Sequence, residues 1–482
     1  MSVTRVRKSS PDTDTDTVSG ISQKRITMLN LKNKKVLVVG LARSGLAVAR
    51  FLKDRRAKVT ATDLKKEDEL GSCAEEALSM GISLELGAHR VESFTGADLI
   101  VVSPGVPHNI TPLEAARKAG IPVVGEVELA SRYIEQLIIA ITGTNGKTTT
   151  TGLIGEMLKA SGREVFVGGN IGAPLIDYLN SGIRADAIVA EISSFQLDTI
   201  DRFRPNVGVL LNITEDHLDR YNSFHDYVRS KGRLFKNQEK TDVAVLNRMD
   251  PAVAELEPLF DSQRLYFNIN NASETQYGVL IRGNEMVCSL PGKAPLIMSS
   301  AKFTLKGEHN LENAAAATLA ALSAGADRAG VQMALDTYEG LHHRLEYVRD
   351  VNGVQYYNDS KATNVDAVKR SLESFDSPLI LIMGGRDKGG SYTFLEELIK
   401  KRVKILIAIG EARENILTAL GRLTSAEGTS SLREAVHLSH QAATPGDVVL
   451  LAPGCSSFDM FTDYAERGEA FCKAVRGLKI DQ

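Results

Sequence analysis

Cysteine is scarce: Cys73, Cys288, Cys455 and Cys472 are scattered, with no Cys-x-x-Cys spacing among them. That scatter excludes a zinc ribbon or a disulfide framework and fits a reducing cytoplasm. Long apolar runs are missing too. No stretch approaches the ~20 consecutive apolar residues that span a bilayer, and no hydrophobic segment follows the basic residues at the N-terminus as an export signal would require. The expectation is a cytoplasmic protein without a membrane partner. An excess of charge of one sign is also lacking: 57 Lys and Arg face 60 Asp and Glu, a formal net charge of -3. Such a chain has no global field to attract nucleic acid, so anionic ligands must be bound by local sites.

What is present is a repeated alternation. Residues 1–28 include Ser9-Ser10-Pro11-Asp12-Thr13-Asp14-Thr15-Asp16-Thr17, too polar to offset chain entropy by burial, and read as a disordered extension. From Lys34 onward, short Val/Ile/Leu runs alternate with amphipathic stretches, the pattern of parallel strands joined by helices. The pattern starts three times: at Val36–Val39, near Leu137, and again with Leu379–Met383, Ile405–Ile409 and Val448–Leu451. This predicts three α/β domains, each on a mainly parallel sheet, spanning 29–130, 131–344 and 345–482. The first and third read as Rossmann-like and the middle one as a phosphate-loop ATPase domain.

The middle block opens with an apolar strand, Leu137–Ile141, running into Thr142-Gly143-Thr144-Asn145-Gly146-Lys147-Thr148-Thr149 and a helix. Backbone N–H groups wrap an anion where glycine removes bulk, the helix turns its positive end to the phosphates, and Lys147 adds a mobile charge. Thr148 is placed to hold magnesium. The usual first glycine is replaced by Ile141, with Gly143 as the nearer substitute. A bare Gly-Lys-Thr would be an ordinary turn; the flanking strand and helix make it a nucleotide site.

In the first block, Gly40-Leu41-Ala42-Arg43-Ser44-Gly45 lies between strand and helix, and Asp63 ends the next strand. Alone, this suggests a dehydrogenase. Ala42 occupies the middle glycine position, however, and obstructs close approach to a pyrophosphate. A structural turn, or a nucleotide-linked substrate with its diphosphate at this helix, are the other readings. Ser103-Pro104-Gly105-Val106-Pro107 would face it. Glu191, at a strand end, could be a loop charge or a cap, but beside a phosphate loop it is a candidate magnesium ligand. His217, at another strand exit, is read the same way. Lys231 lies on a helix from Phe224, where most lysines are solvated. Asn247-Arg248-Met249-Asp250 imitates the guanine reader of GTPases, which keeps a switch protein as a rival.

Over residues 31–480, these segments resemble the Mur ligase family of peptidoglycan enzymes. Thr142–Thr148, Gly169-Asn170-Ile171-Gly172, Glu191-Ile192-Ser193-Ser194-Phe195-Gln196-Leu197 and His217-Leu218-Asp219-Arg220-Tyr221 carry the likeness, with Asn358-Asp359-Ser360-Lys361-Ala362-Thr363-Asn364 further on. The motifs around Glu191 and Asp359 favour the branch that adds D-glutamate over those adding L-alanine, a diamino acid or a dipeptide, and over folylpolyglutamate synthetase. The resemblance implies ATP-dependent ligation of D-glutamate to UDP-N-acetylmuramoyl-L-alanine by a monomer, with two magnesium ions. Thr148, Glu191, His217 and a carbamylated Lys231 would arrange the metal, with Lys147 and Lys361 on the reacting phosphate. Gly143 to Thr149, Asn313, Arg344 and Asp359 would bind ATP. Gly40, Ser44, Gly45, Asp63, Gly105, Asn170, Ser193 and Thr363 would meet the UDP-linked substrate, and Lys388, Ser457 and Tyr464 the carboxylates of D-glutamate. Leu64, where a Thr is common, departs from the family pattern beside Asp63.

Overall fold

Strands buried on both faces need helices on both sides, and the three blocks meet that need separately. The computed structural model describes residues 28–216, 220–268, 277–305, 307–340, 342–387 and 391–479. The expected disordered extension over 1–28 lies, apart from Met28, outside the described residues. In the first domain, Lys35–Val39 runs parallel between Lys58–Asp63 and Leu99–Val102, with Ser83–Leu86 and Val123–Gly125 at the edges. The winding reverses between 35–39 and 99–102, so the loops after those strands flank one crevice. Ser103 closes it by donating its hydroxyl to Gly40 O at 2.8 Å.

The central domain sets Leu137–Thr142 between Ala187–Glu191 and Val207–Leu210, all parallel. Three strand ends therefore deliver residues 143–148, 191–193 and 211–216 to one edge. Beyond Val243–Asn247 and Gln263–Phe267 the sheet continues into the strands Gly278–Arg282, Glu285–Ser289 and Leu296–Ser299, joined by antiparallel pairing. In the third domain, Val354–Asn358, Val448–Leu451, Leu379–Gly384 and Val403–Ile409 run parallel, with Glu346–Val351 antiparallel at one edge. The fold is the expected three-domain α/β arrangement.

The apolar cores divide unevenly. Val36, Val38, Phe51 and Leu52 of the first domain share one cluster with Ile138, Ile188, Phe203 and Tyr227 of the central domain. The other face of the central sheet packs on helices Lys147–Ala160 and Glu308–Ser323. The third domain has its own clusters on its two sheet faces, and none of their residues belongs to the clusters of the other two domains. No helix among the described residues is long and apolar enough to cross a membrane.

Candidate active site

The phosphate loop is held from beneath by an asparagine that sequence reasoning missed. Asn212 accepts from Asn145 N through Oδ1 at 2.8 Å, returns its Nδ2 to Asn145 O at 3.1 Å, and its own carbonyl accepts from Thr144 N at 2.9 Å. Thr144 Oγ1 accepts from Thr214 N at 3.0 Å and lies 3.2 Å from the Tyr227 hydroxyl. Gly146 caps the helix at φ +84°, and a Cβ there would stand 2.2 Å from Asn313 Oδ1. Only glycine suits both the conformation and the space. Lys147 Nζ folds onto Gly143 O and Thr144 O, each at 2.9 Å.

Lys231 is buried and also donates to Gly143 O, at 2.7 Å, with its ammonium nitrogen 4.6 Å from the centre of the Tyr227 ring. Burial, then the neighbouring Lys147 charge, hold its pKa well below the usual lysine value. Burial lowers Lys147 as well, against the opposing pull of Glu191 and Asp216. Glu191 is 2% exposed. Its Oε1 accepts from Asn170 Nδ2 at 2.8 Å, but Oε2 is buried with no hydrogen-bond partner. An ionised, unsatisfied oxygen in that position is costly unless a cation or donor joins it. The glycine cradle, two lysines and this oxygen fit a magnesium-bound nucleotide. His217 lies outside the described residues.

The cleft is completed across the domain boundary, enclosing a cavity of about 190 Å³. Arg344, in the linker, donates to Thr148 Oγ1 at 3.2 Å. Asp359, Lys361 and Thr363 line the same cavity from the third domain, opposite Asn170, Glu191 and Asn313. Lys361 Nζ sits 3.7 Å from the centre of the Tyr464 ring, and burial with Arg344 nearby brings its pKa down to about 8. Asp359 is buried and accepts from the Ser371 hydroxyl. Also lining the cavity, and given no role from the sequence, are Asp216, His309, Asn310, Asn364 and Arg370. Burial and the Arg370 and Arg344 charges hold His309 at about 4, so its ring is neutral at pH 7. Sequence signals for three of these were the motif Asn358–Asn364, which ends on Asn364, and the His309-Asn310-Leu311-Glu312-Asn313 cluster, of which only Asn313 was singled out.

Other expected residues lie elsewhere. Gly40, Ser44, Gly45 and Asp63 gather at the first domain's crevice. Asp63 spends both oxygens on backbone, accepting from Leu41 N at 2.7 Å and Lys65 N at 3.0 Å. A Cβ on Gly45 would stand 1.9 Å from Gly40 O, which accounts for that glycine by packing. Gly105 O, across the crevice, accepts from Arg220 Nη1 at 3.4 Å, and the Arg220 guanidinium lies 4.6 Å from the centre of the Phe195 ring in the central domain. Ser193 caps the short helix Ser194–Leu197 through Gln196 N. Thr149 is buried inside its helix, and Ser457 is buried with its carbonyl accepting from Met460 N and Phe461 N. Lys388 lies outside the described residues.

Three family descriptions match in series along the chain: the MurD-like N-terminal domain of Mur ligases over residues 34–125, the Mur ligase middle domain over 141–321, and the Mur ligase glutamate ligase domain over 343–455. The chain belongs to the Mur ligase family. Two relatives of this Mur ligase, both called UDP-N-acetylmuramoylalanine--D-glutamate ligase, come from Desulfosudis oleivorans and Geotalea daltonii. The first is 51% identical over 93% of this chain and 97% of its own; the second is 51% identical over 93% and 99%. Among solved structures, a pseudomurein peptide ligase type C from Methanothermus fervidus aligns with TM-score 0.58 at 21% identity, covering 93% of this chain and 100% of its own. UDP-N-acetylmuramate-alanine ligase from Thermotoga maritima aligns with TM-score 0.57 at 20% identity, covering 92% and 100%. Both share the fold.

Two further features of the Mur ligase chain now have structural explanations. The segment resembling a guanine reader is tied up internally: Asn247 Nδ2 donates to Leu211 O at 2.9 Å, while Asp250 accepts from Ile213 N at 2.8 Å and caps the helix Pro251–Leu256. It braces the loop behind the nucleotide cleft. Arg467, 1% exposed, donates to Ser360 Oγ and to the carbonyls of Ser360, Gly384, Cys455 and Ser456. It ties three strand-end loops of the third domain together, a role that a charged residue in a sequence does not announce.

Proposed function

We propose that this Mur ligase forms an amide between the L-alanyl carboxylate of UDP-N-acetylmuramoyl-L-alanine and the amino group of D-glutamate, with ATP cleaved to ADP and phosphate. The observation that carries the reading is the junction of a phosphate loop, the half-satisfied Glu191 carboxylate and Lys361 around one cavity, in a chain half identical to ligases of that name. A carboxylate resists amine attack because oxide is a poor leaving group. Transfer of the γ-phosphoryl to a carboxylate oxygen, with ADP leaving, gives an acyl phosphate; attack by the neutral amine then expels phosphate, and the nitrogen loses one proton and keeps the other in the amide. Phosphoryl transfer needs positioning and charge rather than a protein nucleophile. Lys147 and Lys361 provide that charge from opposite sides of the cleft, and domain contact across it keeps water from the acyl phosphate. Magnesium, when bound, offsets phosphate charge, held by Thr148, Glu191, His217 and Lys231.

Lys231 serves there as a carbamate: a neutral amine captures carbon dioxide, releases a proton, and becomes an anion. Its burial and depressed pKa support this role. Asn313 takes the adenine, Asp359 the ribose and Arg344 the phosphates. The first domain's crevice holds the uridine diphosphate end, and Lys388, Ser457 and Tyr464 receive D-glutamate. Domain limits near 130 and 345, a monomeric state and a cytoplasmic setting complete the reading.

The test is phosphate release with ATP, the UDP-linked substrate and a panel of amino acids. Release that depends on D-glutamate is expected, and equal release with every amino acid would remove the substrate assignment. In the same assay Lys231→Ala should lose most activity and regain part of it with an added short-chain carboxylate; full activity without rescue would exclude the carbamate.

A further inference from the structure

Asp366 lies in the first turn of the helix Val365–Glu373 and does not itself line the nucleotide cavity. Its Oδ2 nevertheless gathers three donors from separate parts of the chain. These are the side-chain amide of Asn145 in the phosphate loop, the Thr214 hydroxyl at 3.3 Å in the loop after Val207–Leu210, and Arg370 Nε at 3.2 Å one turn along its own helix. Asn364, which caps that helix by accepting from Ala367 N, donates its amide to Asp216 Oδ2 at 3.1 Å. Three central-domain side chains, Asn145, Thr214 and Asp216, thus meet Asn364 and Asp366 of the third domain across the boundary. Both Asn145 and Arg370 line the cavity.

A carboxylate placed against a phosphate-binding loop opposes anion binding unless its charge is offset and its oxygen is used otherwise. Here Arg370 offsets it, and the oxygen fixes the amide of Asn145. We propose that Asp366 is a positioning residue that aims Asn145 and Arg370 at the nucleotide. The inference rests on the ATP reading of the cleft. Hydrogen bonds to an ionised acceptor are the stronger kind. Asp366→Ala frees the Asn145 amide and leaves Arg370 without its partner, whereas Asp366→Asn keeps an oxygen for Asn145 and Thr214.

The test uses the full chain with magnesium and two readouts: ADP binding by calorimetry, and steady-state phosphate release. Asp366→Ala should weaken ADP binding and raise KM for ATP by roughly tenfold, the scale of one lost charge-assisted hydrogen bond. KM for D-glutamate should move less than about twofold. Asp366→Asn should recover most of the ADP affinity, and adding Asn145→Ala to Asp366→Ala should cost nothing beyond the larger single effect. An ADP affinity unchanged in Asp366→Ala overturns the proposal, as do equal losses for ATP and D-glutamate, no recovery in Asp366→Asn, or effects of the two alanines that multiply. A wild-type enzyme that ignores D-glutamate would sink the substrate assignment instead, and the ADP titration would still decide the role of Asp366.

Discussion

Lys361 and Lys147 approach the same cavity from different domains, and they differ in how they are held. Lys147 is fastened to two loop carbonyls, while Lys361 rests on the Tyr464 ring with its pKa near 8. As pH rises through about 8, Lys361 in the free enzyme loses the charge that it brings to the cavity and that is proposed to meet the phosphate. The pH profile of kcat/KM for ATP should therefore fall on its alkaline side near pH 8. Lys361→Arg, whose guanidinium stays charged, should push that fall upward by a unit or more. A limb that stays near 8 in the arginine variant assigns it to another group. At this scale the sequence exposed what sits in motifs and hid what pairs at a distance. Asn145 and Asp366 are 221 positions apart, and Asn364 and Asp216 are 148 apart. Asn145 and Asn364 sit in motifs, but nothing local marks Asp366 or Asp216 as their partners. Arg467 was hidden for a different reason: its partners are mostly carbonyl oxygens, which have no residue identity.

Elements were more legible, because four to six consecutive apolar residues bounded by glycine or polar clusters leave few alternatives in an α/β chain. The strands Lys35–Val39, Leu379–Gly384, Val403–Ile409 and Val448–Leu451 fall where the periodicity puts them. The antiparallel pairs over 278–299 escaped, since their alternation of exposed and buried residues is short and weak. One helix junction carries a pH consequence. Glu126, 3% exposed at the start of Glu126–Ser131, accepts from Ile176 N at 2.7 Å at the head of Leu175–Ser181. Burial, aided by Asp177, raises its pKa to about 7. The folded state then holds this proton more tightly than the unfolded chain. Its contribution to stability is complete below pH 4.5 and is lost as pH rises through 7, an effect of roughly 3 kcal/mol. Glu126→Gln should flatten the pH dependence of denaturant unfolding between pH 4.5 and 8, and an unchanged slope would show that Glu126 titrates normally.

For the whole molecule, the decisive contrast lies between its two interfaces. The first and central domains share an apolar cluster and are further joined by Glu126, by Glu128 accepting from the backbone of Asp201, Arg202 and Phe203, and by Arg220. The third domain meets the central one through polar pairs and a linker in which Gly340, His343 and Leu345 have φ of 89°, 66° and 43°. Left-handed backbone at a non-glycine residue stores strain that a rotation could release. Small-angle scattering should therefore report a smaller radius of gyration when a non-hydrolysable ATP analogue and the UDP-linked substrate are both present, and identical curves would argue for a fixed arrangement.

Among the described residues the third domain shares no apolar core with the rest, and this also bears on how the chain comes apart. Two blocks so joined have no reason to melt together, and each would lose its order at its own temperature. A single midpoint read by one probe would describe only the block that the probe sees, and a ligand gripped by both would be what makes them fail as one.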